Sequence, residues 1–188
     1  MRNSLFIIFT ALLLTILLGT TAFAQYESND RSPIGIRVGF FMPSGSALSD
    51  INGIYIGPML NYQTKFDNMD RPSLTVSVGW FGDETNYKRA SLIPLTANYI
   101  KHFGTNPNRS PYIGGGVGLY YTSYRPGSSY YYDTYKDFNL GLNMVAGIEL
   151  GATIFAEASY SMVPKISAGS EDIDFSGLCI SVGSRMAY

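Results

Sequence analysis

Four charged side chains invite a chemical reading, because alternation puts each of them on a face made mostly of Gly, Ser, Thr and Asn. Arg37 and Glu157 fall near the middles of their segments, and Glu149 and Arg185 near the ends of theirs. An isolated charge enclosed by protein is strongly unfavourable, so charges on such faces should pair if the faces are buried. Arg37 with Glu157, and Arg185 with Glu149, are the expected pairs. A second cluster is the stretch 122–137, TSYRPGSSYYYDTYKD. It holds Tyr124, Tyr130, Tyr131, Tyr132 and Tyr135 beside Arg125, Asp133, Lys136 and Asp137. Tyrosine supplies amphipathic contact area at low entropy cost. The stretch is therefore either a binding surface or a loop that packs on itself. Other motifs carry less chemistry. Gly114-Gly115-Gly116-Val117-Gly118 has no helix after it, as a phosphate-binding loop requires, so close backbone packing is the better reading. Glu171, Asp172 and Asp174 do not have EF-hand spacing and read as a solvated loop. Cys179 reads as an inert inward-facing residue.

The elements that position these groups are strands. Of 188 residues only 14% are charged, against about 25% in an ordinary soluble domain, while Gly 20, Tyr 15 and Phe 11 favour β structure. With 13 basic and 14 acidic side chains the chain lacks the basic excess of a nucleic-acid binder, and no nucleic-acid partner is expected. One cysteine excludes an internal disulfide and a Cys-based zinc site, and no cofactor is expected. Residues 1–24 have a basic start at Arg2, an apolar run from Leu5 to Leu18 and a small-x-small end at Ala22-Phe23-Ala24. They read as a cleaved signal peptide, leaving a single domain over 25–188. That domain divides at Gly, Pro, Asn, Asp and Ser clusters into eight alternating segments: 33–42, 54–63, 74–82, 91–102, 111–122, 138–150, 152–162 and 175–187.

Alternation alone suits two barrels. A soluble periplasmic lipid-binding barrel turns its apolar face inward; a transmembrane barrel turns that face to lipid and fills its interior with small and polar groups. The polar faces here carry few charges, whereas a water-facing surface is about a quarter to a third charged, so the transmembrane form is favoured. Aromatic placement agrees. With the N-terminus in the periplasm, Phe40, Trp80, Tyr121, Phe138 and Tyr160 fall at the outer ends of the apolar faces, and Tyr62, Tyr99 and Tyr188 at the periplasmic ends. These form two girdles. Pro58 and Pro94 sit less easily: each removes a ladder donor, and bulges or strand ends are expected there.

The run Ile93-Pro94-Leu95-Thr96-Ala97-Asn98-Tyr99 followed by Pro111 to Gly118 resembles the central strand-turn-strand of the small eight-stranded bacterial outer-membrane barrels, the superfamily of the OmpA barrel, OmpX and OmpW. Phe155-Ala156-Glu157-Ala158-Ser159-Tyr160 is similar to its penultimate strand. Ile180, Val182, Met186 and Tyr188 fit its C-terminal assembly signal, from which Ser184 departs. The resemblance implies an all-β, eight-stranded antiparallel up-and-down transmembrane barrel in the bacterial outer membrane. Its implied partners are outer-membrane lipid and lipopolysaccharide, the barrel-assembly machinery through the last strand, and an extracellular glycan, lipopolysaccharide or host protein at the tyrosine-rich loop. The expected role is non-enzymatic: structural support, surface interaction or narrow passage of small solutes, with an OmpW-like conduit for small hydrophobic molecules as the alternative. Barrel enzymes of this kind place their catalytic groups toward the cell exterior, and His102, the single histidine, is at the other end. For the four charges the expectation is a plugged lumen, the alternative a gated network.

Overall fold

The structure, a computed structural model, describes residues 31–64, 72–85, 87–103, 109–127, 134–151, 153–168 and 171–187. The proposed signal peptide, Tyr130, Tyr131, Tyr132 and Tyr188 lie outside the described residues. In chain order the elements are β1 (Arg31–Pro43), α1 (Ser46–Ser49), β2 (Tyr55–Gln63), β3 (Ser73–Gly79), β4 (Phe81–Thr85), β5 (Lys88–His102), β6 (Pro111–Arg125), β7 (Tyr135–Leu150), β8 (Ile154–Met162), β9 (Ile166–Ala168), β10 (Glu171–Ile173) and β11 (Gly177–Ala187).

Each long strand pairs antiparallel with its neighbours in the order β3-β2-β1-β11-β8-β7-β6-β5-β4, and β3 also pairs with β5, which closes the ring. Because β3 and β4 follow one another along the same wall, the result is a closed eight-stranded antiparallel barrel. Closure leaves no open edge on the ring. At one end β1 begins, β11 ends, and the β2–β3, β5–β6 and β7–β8 pairs are joined; at the other the β1–β2, β4–β5, β6–β7 and β8–β11 pairs are joined. These are called the terminal end and the loop end below.

The period-two pattern is what builds the wall. In β2, Tyr55, Gly57, Met59, Asn61 and Gln63 point inward while Ile56, Pro58, Leu60 and Tyr62 point outward. Around the ring the outward positions are apolar and exposed, among them Leu74, Leu95, Ile113, Val117, Leu140, Leu142, Ile180 and Val182. That arrangement is the reverse of a soluble lipid-binding barrel, whose apolar face would line a cavity.

Pro58 and Pro94 share one explanation. Val78 opposes Leu95 and, three residues further along both strands, Phe81 opposes Leu92, so the register of the wall is the same on either side of Trp80. The ladder lapses there without a bulge. Pro58 lies on one side of the lapse, its carbonyl accepting from Trp80 N at 3.1 Å, and Pro94 on the other. A strand residue presents its nitrogen and carbonyl to the same neighbour, so the donor missing from Pro58 is missing where the partner strand is interrupted. Gly57 is needed beside it, because a Cβ at that position would collide with the Trp80 carbonyl.

Two elements were invisible to period-two reading. The short helix α1 with the turn after it, and the β9–β10 hairpin, fold over the loop end and contribute Leu48, Ile51, Ile166 and Ile173 to the interior.

Candidate functional site

The barrel interior is filled in two layers, and the layer toward the terminal end holds the charges. From β1, Arg37 Nη1 donates to Oε1 of Glu157 on β8. The second carboxylate oxygen of Glu157 accepts from the Tyr112 hydroxyl of β6 at 3.0 Å. Closer to the terminal end, Arg185 Nη2 of β11 donates to Glu149 Oε1 of β7 at 2.5 Å. His102, the last residue of β5, brings Nε2 to 3.6 Å from the same oxygen. Tyr112 links the two pairs, with its ring centroid 5.1 Å from that of His102. The Arg185 guanidinium lies 5.3 Å from the Phe155 ring centroid. Six strands therefore converge on one network of buried ions and rings.

Glycine makes the room. A Cβ on Gly183 would meet both Arg37 and the Phe155 ring at 2.6 Å, and one on Gly147 would meet the Tyr112 ring. The structure places Arg37, Glu149, Glu157 and Arg185 in the lumen and brings them together as two pairs. It adds His102 and Tyr112, which the sequence reading left out. The signal for both was parity: His102 shares the face of Thr96 and Asn98 on β5, and Tyr112 the face of Tyr120 and Thr122 on β6.

Beyond the ions runs a chain of neutral bonds. Ser161 Oγ donates to Asn143 Oδ1 at 3.1 Å, Asn143 Nδ2 to Asn98 Oδ1 at 3.0 Å, and Asn98 Nδ2 to Thr96 Oγ1 at 3.4 Å. A cavity of about 20 Å³ lies between this layer and the next, walled by Arg37, Asn143, Ser159 and Cys179 on one side and Phe41, Phe81 and Leu92 on the other. It has room for about one water molecule. The loop-end layer is apolar. Phe41 stacks between Phe81 (centroids 5.6 Å apart) and Tyr55 (6.3 Å), with Leu92, Tyr120 and Tyr124 alongside. Leu48 from α1, Ile51 from the turn after it, and Val163, Ile166, Ile173 and Phe175 from 163–176 roof it over. The Tyr55 hydroxyl ties roof to wall by donating to the Leu48 carbonyl at 2.8 Å.

No family model matches the sequence, and neither does any curated protein. Solved structures do resemble it. Neisserial surface protein A superposes with a TM-score of 0.62 at 15% identity, covering 82% of this chain and 96% of that one. Ail, the attachment invasion locus protein of Yersinia pestis, superposes with a TM-score of 0.50 at 16% identity, covering 81% and 93%. The chain has the fold of the small eight-stranded outer-membrane barrels.

On a small outer-membrane barrel the aromatic residues of the outer wall acquire a position as well as a face. Phe40, Trp80, Tyr121, Phe138 and Tyr160 point outward in the loop-end half, with the Tyr121 and Phe138 rings 4.9 Å apart across β6 and β7. Tyr62 and Tyr99 point outward in the terminal half and are more than half-exposed or nearly so, at 50% and 62%.

The tyrosine stretch is corrected in part. β6 runs on to Arg125 and β7 starts at Tyr135, so Tyr124 and Tyr135 are opposed strand residues and not loop residues. Tyr124 is buried among the apolar layer and Tyr135 packs against it, which removes both from any binding surface. Alternation explains this: even-numbered residues of β6 face inward, and Tyr124 continues the row of Tyr120 and Thr122. In the acidic stretch, Asp172 accepts from Ser167 Oγ at 3.0 Å and Asp174 from Ser176 N at 2.8 Å, while Glu171 and Asp172 are exposed.

Proposed function

We propose that the protein is exported by its signal peptide, assembled through its C-terminal strand into the bacterial outer membrane, and acts there as a non-enzymatic, solute-tight barrel that works through its loop end. The observation that carries this reading is the pairing of an apolar outer wall with a lumen closed twice over, by ions and rings toward the terminal end and by a roofed apolar layer toward the loop end. Eight strands leave an interior just wide enough for side chains to fill. Structural support and surface interaction fit such a plug; passage of small solutes or a conduit for hydrophobic molecules would need a channel that these two layers occupy.

The test is fractionation followed by electrical recording. The full chain with its own leader should appear in the outer membrane and migrate differently on gels with and without boiling. Reconstituted in planar bilayers it should show no discrete current steps. Recovery as a soluble protein would overturn the membrane assignment, and steady single-channel currents would overturn the sealed lumen.

A further inference from the structure

The outward face of β4–β7 breaks a rule of sheet pairing just beyond the loop-end aromatics. Trp80, Tyr121 and Phe138 mark one outward row, with Ile93 between them opposite Tyr121. One outward position further along, Ser91 opposes Ser123 and Ser123 opposes Lys136. One further still, Arg89 directly opposes Arg125. Like charges facing each other across a ladder are destabilising, and Lys136 on the adjoining strand adds a third. Only Glu84 answers them among the described residues. It opposes Arg89 in register, but its Oε1 accepts from Arg125 Nη2 at 2.6 Å. Among the described residues, three cations thus share one carboxylate, around two serine hydroxyls, on the wall and not in the lumen.

Position offers a further counter-charge. Aromatic rings of a membrane barrel sit at the lipid–water boundary. The row or two beyond them on the loop-end side is where the headgroups of the outer leaflet lie. Arginine prefers phosphate because its planar fork donates two parallel bonds, and serine hydroxyls complete such a cradle. We propose that Arg89, Arg125 and Lys136, with Ser91 and Ser123, form a binding site for the phosphorylated sugar headgroup of lipopolysaccharide on the outside of the barrel. The inference rests on the outer-membrane reading above and deepens it by naming the lipid and the patch of wall it contacts. Its acyl chains would lie along the outward apolar column below, over Tyr121, Phe138 and Leu140.

The experiment uses the full mature chain refolded in detergent and two probes, diphosphorylated lipid A and its dephosphorylated form, with binding followed by thermophoresis. The wild type should prefer the diphosphorylated form. The triple variant Arg89→Gln, Arg125→Gln, Lys136→Gln should bind it about tenfold to a hundredfold more weakly. Glu84→Gln, which removes the competing carboxylate, should bind more tightly. Lys101→Gln, an outward cation of β5 at the terminal end, should bind as the wild type does. Equal binding of both probes, an unaffected triple variant, equal loss in Lys101→Gln or equally effective competition by phosphatidylglycerol would each overturn the site. A heat-dependent gel shift on the same samples separates the two levels. If the shift is retained while binding fails, this site alone falls; if there is no shift in the wild type, the membrane reading falls and takes the site with it.

Discussion

Glu157 is the residue on which most of the lumen depends, since its two oxygens serve Arg37 and Tyr112 separately. Glu157→Gln leaves the Arg37 guanidinium enclosed without a counter-charge, and loss of one partner of a buried pair is expected to destabilise by about 3–5 kcal/mol. Tyr112→Phe removes one hydrogen bond to the same carboxylate and should cost less, about 1.5–3 kcal/mol. Urea unfolding in lipid vesicles measures both, and equal midpoints for wild type and Glu157→Gln would show that the pair contributes nothing. Cys179 offers a second check at this scale. It is buried between the ion layer and the apolar layer, so a maleimide should label it only after unfolding. Rapid labelling of the folded barrel would mean an accessible lumen. The four charges could be picked out of the sequence because a charge on a face of small residues is conspicuous. His102 and Tyr112 could not be picked out as easily. A histidine at the last position of its segment gives no sign of the carboxylate it will meet, and a tyrosine suits either face of a barrel wall.

The strands themselves were the most legible part of the chain, for a physical reason: a wall with an apolar outer face and a crowded lumen forces strict alternation over ten residues or more. What period two cannot report is a segment that leaves the wall. The helix α1 with the turn after it, and the β9–β10 hairpin, contribute isolated apolar residues, Leu48, Ile51, Ile166 and Ile173, whose spacing follows no single period. The lapse at Trp80 was equally hidden, because neither Pro58 nor Pro94 reveals from its own strand that both border the same gap. Glycine is the element-scale feature open to direct test. A Cβ on Gly116 would run into the backbone of β5 at Ala97 and Asn98, whereas one on Gly53 would meet nothing within 4 Å. Gly116→Val should therefore abolish the heat-dependent gel shift and Gly53→Val should leave it intact. A folded Gly116→Val barrel would show that β5 and β6 can separate more easily than their register implies.

For the whole molecule, the decisive property is that the lumen is closed by two layers of opposite chemistry placed in series. The apolar layer excludes ions because dewetted aromatic surface offers them no partner. The ion layer excludes apolar solutes because its charges are already paired, so that inserting an apolar group would break bonds without replacing them. On the proposed solute-tight reading either closure is sufficient, and this gives a prediction that single substitutions cannot reveal. Replacing 164–174 with a short Gly-Ser linker removes Ile166 and Ile173 from the roof, yet Arg37, Glu157, Tyr112, Arg185 and Glu149 still bridge the barrel below it. The shortened chain should remain silent in planar bilayers. Arg37→Ala with Glu157→Ala removes the central pair together and so avoids a lone buried charge, but the apolar layer above still seals the path. That variant should be silent as well. Combining the two sets with Phe41→Ala and Phe81→Ala, which thins the apolar layer as well as its roof, opens both barriers, and only that combination should give small discrete currents. Because the widened path is then lined by Asn98, Asn143, Ser161 and the remaining Arg185–Glu149 pair, those currents should be weakly ion-selective. Currents from the linker variant alone would mean that the ion layer is porous and the apolar roof is the sole closure. Currents from the double alanine variant alone would assign the closure to the ions.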